Sequence, residues 1–211
     1  MNSKTVSSWM LIVAPILFVL IVFIAWPAVI GEGETTAESV ALMLDKPTLS
    51  SIFTMIGTII AASMSIGYAL LAWSRADGST TEGTLASIAA MIFVGMTAIV
   101  FVAMGTTYMV LGDGEGKPVE AEWILTVSDS MFAAVILAWM LGNIVLGTAL
   151  IIENKINRIA SGLVLLAGIL MVIMFLLIGI DDLPGVIWIV PMLLSVISAV
   201  VLGIFNLRSQ S

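Results

Sequence analysis

Apolar residues in this chain run in long blocks, broken by short clusters of charge, glycine and proline. Six blocks stand out, at about 8–30, 50–73, 84–111, 124–152, 159–180 and 184–207. Each is long enough to cross roughly 30 Å of hydrocarbon at about 1.5 Å per residue of helix. No two-residue alternation of the kind a membrane barrel needs is visible, and lipid offers backbone groups no outside partner, so each block is predicted to be a helix. The expected fold is all-α: one domain of six transmembrane helices over residues 1–211. The first block is too long for the apolar core of a signal peptide and lacks a clear small-x-small cleavage site, so it counts as the first span.

The breaks carry their own signals. In the longest connection, 31–49, Thr35 and Glu38 have capping-box spacing and precede an apolar stretch ending before Pro47. That predicts a short helix lying on the membrane surface. Segment 112–123 opens with Gly112, Asp113, Gly114, Glu115 and Gly116, which is turn chemistry. Glycine-and-acid runs at 30–34, 111–115 and 178–182 recur after the odd-numbered blocks. Small residues four apart follow on the even ones, at Gly57, Ala61, Ser65 and Ala69; Ser130, Ala134, Ala138 and Gly142; Ser195, Ala199 and Gly203. Three repeated helical hairpins are one reading of this pattern. Close helix packing along the small stripes is the more general expectation.

Composition narrows the chemistry. The chain is 61% hydrophobic and 10% charged, far below the roughly 25% charge of soluble domains. It has no cysteine and no histidine. This removes disulfides, thiolate chemistry, iron–sulfur ligation and imidazole acid–base or metal sites. No nucleotide loop, nucleophile elbow or metalloprotease helix occurs, and no cofactor is implied. Any enzyme would have to work with carboxylates, tyrosine or serine, so a non-enzymatic role is favoured. The net charge of −7 argues against nucleic acid as a partner. The expected partners are membrane lipid and either another membrane subunit or further copies of the chain.

The basic residues set the expected orientation in a cell (cytoplasmic or inner) membrane. With both termini cytoplasmic, Lys4, Arg75, Lys155, Arg158 and Arg208 lie inside and only Lys46 and Lys117 outside. Eleven of the fourteen acids then fall outside. Among them Glu32, Glu34, Asp113, Glu115, Asp181 and Asp182 form a candidate acidic outer surface. Asp181 and Asp182 precede Leu183 and Pro184, where carboxylates suit the start of a helix. A hard-cation site is the alternative there, without EF-hand spacing to support it. Trp9 and Trp73 are expected at the inner interface, and Trp26, Tyr108, Trp123 and Trp188 at the outer one.

Within the spans, Asn143 is the most polar side chain at depth. Asp129 stands fourteen residues earlier, nearly on the same helical face at about 100° per residue. One reading makes them a polar intramembrane track with Asp129 as a cation or proton site. The simpler reading gives Asn143 an interhelical hydrogen bond and makes Ser128 and Asp129 caps of a helix starting near Ser130. Pro15 and Pro191 lie inside spans, and Pro191 is a candidate hinge. Hydroxyls such as Thr97, Thr106, Thr107 and Ser65 are expected to bond the preceding turn. The 14 methionines read as adaptable packing. Two functions follow: an accessory or assembly subunit or lipid- or small-molecule-binding bundle, and a small cation or solute transporter or channel using the Asp129–Asn143 face.

Overall fold

The computed structural model describes residues 2–113, 116–178 and 185–209. It is all-helical, with six helices long and apolar enough to span a membrane. The first span runs through α1 (Ser3–Leu20), a π-helical turn (Ile21–Ala25) and α2 (Trp26–Val29). A short α3 (Thr36–Asp45) follows. The remaining spans are α4 (Pro47–Trp73), α5 (Thr81–Asp113), α6 (Pro118–Glu153), α7 (Arg158–Ile178) and α8 (Gly185–Arg208).

Each span packs on its neighbours in sequence, and α8 returns to α1, so the six close into a ring. Every span contributes at least one large, fully buried side chain to the ring's interior, among them Leu11, Tyr68, Phe93, Met140, Met171 and Leu202. Tyr68 and Phe93 stack at 4.7 Å between centroids. Small residues let the backbones approach, as expected of helices in lipid. A Cβ on Gly203 would stand 2.8 Å from the Ser8 carbonyl oxygen, and one on Gly147 2.6 Å from the Leu165 nitrogen.

The expected small stripes are buried on α4 (Ala61, Ser65, Ala69) and on α8 (Ser195, Ala199, Gly203). On α6 the expectation holds at Gly142, which is buried against Phe93, and fails earlier in the stripe. Ser130 and Ala134 are exposed, and the closest approach to α7 is made from another face, at Gly147.

The α5–α6 hairpin outgrows a bilayer. Its arms of 33 and 36 residues measure about 50 and 54 Å, against roughly 30 Å of hydrocarbon. On α6 the charge-free run between Asp129 and Glu153 is about 34 Å long, which puts the excess at the end carrying Asp129, here the acidic end. A second hydrophobic cluster forms there from Ile30, Val40, Met43, Val110, Ala121 and Leu125. The surface helix expected in 31–49 is α3, and it lies across this overhang. Its Thr35 hydroxyl accepts the Glu38 N–H at 3.2 Å, and the Glu38 carboxylate accepts the Glu34 N–H at 2.8 Å.

Two boundaries correct the sequence reading. Helix α6 starts at Pro118, not near 124. Proline at the first position and Glu120 in the first turn suit a helix start, and Ala121, which hydropathy alone assigned to a loop, is buried with Leu125 in the same cluster. The first span loses regular α-geometry at Ile21–Ala25, not at Pro15. Pro27 explains this. It has no N–H, and its ring crowds the carbonyl of Phe23; the chain widens by one residue, with the Trp26 N–H reaching the Ile21 carbonyl. Helix α8 continues through Pro191.

Candidate functional site

The widened turn forms one wall of a cavity of about 380 Å³ at the acidic end. Opposite it stand Phe53, Thr54 and Gly57 of α4, Met104 and Thr107 of α5, and Leu125, Asp129 and Phe132 of α6, with Ser39 and Met43 of α3 closing the top. The chamber lies between the main core and the overhang cluster, where the surface helix fails to fill the space between α1 and α6. Trp26 meets Phe53 edge to face, at 6.3 Å and 77°. Gly57 has nothing within 4 Å of where a Cβ would stand. A second cavity, of about 340 Å³, shares Trp26, Ser39 and Met43 with the first and reaches Glu32 and Gly33 in the acidic loop.

The polar groups of the chamber are few and unevenly satisfied. Behind Asp129, the Ser128 hydroxyl bonds the Ala103 carbonyl at 2.8 Å and pairs with the Thr107 hydroxyl at 2.8 Å, fastening α6 to α5. The buried Thr54 hydroxyl has no hydrogen-bond partner. Asp129 makes no ion pair among the described residues. Lys46 is occupied elsewhere, capping α2 through the Val29 carbonyl at 2.7 Å. Ser128 and Asp129 lie eleven residues inside α6, so they cap nothing, contrary to the simpler reading.

Asn143 is not part of this chamber. It lies about 21 Å further along α6, fully buried, and neither its amide nitrogen nor its oxygen has a partner. The expected interhelical bond is absent. On the same face one turn away, the Trp139 indole N–H is also unpaired. Tyr68 Oη lies beside Trp139 and Ser198 without completing a bond to either. Two helices, α4 and α6, thus bring orphaned polar atoms together inside the bundle.

Of the predicted acidic surface, Glu32 lines the smaller cavity and Glu34 is exposed beside the α3 cap. Glu115, Asp181, Asp182 and the side chains of Asp113 and Trp188 lie outside the described residues. Pro191 is buried, and its carbonyl accepts the Ser195 hydroxyl at 2.9 Å. Trp9, Trp73, Tyr108 and Trp123 are exposed near the span ends, as interfacial aromatics would be. Sequence reading missed Trp26, Phe53, Thr54 and Phe132 as site residues. The one available signal was Pro27, set within an apolar run.

The opposite end, which carries both termini, is knit by a polar network. Arg75 reaches Glu153 at 3.3 Å and the Asn206 side-chain oxygen at 3.3 Å. Asn206 donates to Ser8 at 2.9 Å. Lys4 reaches the Ser209 carbonyl, and Lys155 pairs with Glu153 at 3.2 Å. This ties α1, α4, α6 and α8 together.

Fold and cavity define a class: a polytopic helical membrane protein, a ring of six spans cross-linked by polar side chains at one end, with a chamber at the other. Comparison with protein families, with curated proteins and with solved structures gives no match, so the class rests on the chain's own geometry.

Proposed function

We propose that the protein is a non-enzymatic binding bundle that holds a lipid-like or small apolar molecule in the chamber at its acidic end. The observation that carries this reading is the chamber itself. A volume of about 380 Å³ falls within the usual range for ligand pockets, whose walls are mostly apolar with a few placed polar groups. Open space between helices costs dispersion contacts on the residues that wall it, which an occupant restores. The basic residues at the terminal end support an inner membrane with cytoplasmic termini.

The test uses Trp26. An apolar probe bearing bromine should quench part of the tryptophan emission saturably in the wild type. That component should vanish in Gly57→Leu, which adds a side chain where a Cβ meets nothing within 4 Å, and in Trp26→Phe. Quenching that only rises linearly, as for partition into the surrounding lipid, would count against an enclosed site.

The orphaned polar atoms of Asn143, Tyr68 and Trp139 favour a second reading, passage of a small polar solute through mid-span. Reconstituted vesicles should then show flux that Asn143→Leu abolishes. Flux unchanged by that substitution removes Asn143 from any path.

A further inference from the structure

We propose that the occupant of the Asp129 chamber carries an organic ammonium group on an apolar body. This rests on the binding reading above and names its ligand class. Four observations converge. Asp129 is the chamber's one carboxylate and has no cationic side chain against it among the described residues. Asp129 is exposed at the edge of this largely apolar space, where a cation can reach it. The buried Thr54 hydroxyl, unpartnered, lines the same space. Trp26, Phe53 and Phe132 supply ring faces of the kind that attract ammonium ions. The adjoining cavity leads to Glu32 in the acidic loop, so a cation entering that way meets carboxylate first and aromatic rings next.

The alternatives fit less well. A hard metal ion asks for six or more oxygens, and the described residues hold no group of three or more acids that could supply them. A phosphate or carboxylate would face Asp129 with like charge. A plain hydrocarbon would leave Asp129 and Thr54 unpaired. An ammonium with an apolar body satisfies the carboxylate, the hydroxyl and the rings together. The group has two natural sources, the amine headgroup of a lipid or a free amine, and the chemistry at Asp129 is the same for both.

The test compares benzylammonium with its uncharged carbon isostere, ethylbenzene, on the full chain in maltoside micelles, by titration and by thermal midpoint. A parallel arm presents phosphatidylethanolamine and phosphatidylglycerol together and reads retained lipid by native mass spectrometry. The cation should bind at least tenfold more tightly than the isostere. Asp129→Asn should bring the two within about twofold while leaving isostere binding in place. Asp129→Glu should keep the preference, which separates charge from any folding defect. Retention of phosphatidylethanolamine over phosphatidylglycerol, lost in Asp129→Asn, assigns the group to a lipid. The cation preference without such retention assigns it to a free amine. Equal binding of cation and isostere, both lost in Gly57→Leu, overturns the ammonium assignment and leaves the chamber as an apolar site. Failure of both to bind overturns the binding reading itself.

Discussion

The two ends of this bundle are made of the same materials and finished differently. At the terminal end and through mid-span, glycines let helices touch. A Cβ on Gly67, Gly142, Gly147, Gly168 or Gly203 would come within 3 Å of a neighbour. Arg75, Glu153 and Asn206 then lock four helices across the mouth. At the acidic end Gly57 and Gly105 meet nothing, a proline forces a π-turn, and the overhanging hairpin props α3 above a chamber. Small residues are therefore permissive, not decisive. They produce contact where a neighbouring helix runs straight, and space where it is displaced. The difference locates rigidity at one end and binding capacity at the other.

Glycine replacements should break that contrast most sharply. Gly147→Leu drives a side chain into the backbone of α7, so the cost should sit at the top of the overpacking range, about 3 kcal/mol or more. Thermal unfolding in micelles should show a large drop in midpoint. Gly57→Leu adds the same atoms in open space and removes a helical glycine worth about 1 kcal/mol. Its midpoint should hold or rise while ligand binding is lost. Equal destabilisation by both would dissolve the distinction between the two ends.

The charged residues sharpen the same comparison at smaller cost. Arg75→Ala leaves Glu153, whose side chain is only 9% exposed, with the exposed Lys155 as its one remaining ion-pair partner among the described residues, and leaves one face of Asn206 unpaired. It should destabilise by about 2–3 kcal/mol. Replacing Arg75 and Glu153 together by leucine should recover more than half of that, because no unpaired charge then remains. Asp129→Asn should leave unliganded stability within about 0.5 kcal/mol, as expected of a surface change away from structural contacts. An acid that holds the fold would behave like Arg75 in this pair of measurements; one that holds a ligand would not.

Between the ends lies Asn143, with no partner for either polar atom of its side chain. A buried unsatisfied amide costs about 1–3 kcal/mol, so Asn143→Leu should raise the unfolding midpoint, by about 1 kcal/mol once the larger side chain is accommodated. A fall in stability would mean that Asn143 has a partner at mid-span and would strengthen the passage reading.

How much of this could be read from the chain alone follows from what lipid does to patterning. Spans were legible because length and hydropathy report on the bilayer directly. The α3 cap was legible because Thr35 and Glu38 signal through local hydrogen bonds. Helix faces were not, because lipid-facing and core-facing positions are both apolar: Leu177 is 76% exposed and Leu202 fully buried, and nothing in their identity separates them. The start of α6 was misplaced for the converse reason, since Lys117, Glu120 and Glu122 read as loop while Ala121 among them packs in the cluster with Val40 and Met43 of α3. Asp129 was singled out on its charge, yet its pairing with Asn143 by angular register ignored a rise of about 21 Å. The chamber needed Pro27 to be read as a displaced wall, and a π-turn has no stronger sequence signature than the proline that provokes it.

The smallest expected effect tests whether the terminal end is held from within the membrane or from the water beyond it. Asp77, in the turn between α4 and α5, is fully solvent-exposed and accepts bonds from the Ser79 hydroxyl at 2.7 Å and the Ser79 N–H at 2.9 Å. These bonds, with a lesser pull from the charge of Lys155, hold its carboxyl below the usual aspartate value. A pKa lowered by folding gives stability that is present above the unfolded value, near 3.9, and is lost as pH falls through the folded value. Between pH 7 and pH 5, then, Asp77→Asn should leave the dependence of the unfolding midpoint on pH unchanged, and any divergence from wild type should appear only below about pH 4. Solvent screens so exposed a group, and the divergence should stay well under the loss seen for Arg75→Ala. A larger response from Asp77 would move the grip on this end out of the Arg75–Glu153–Asn206 lock and into the aqueous turn.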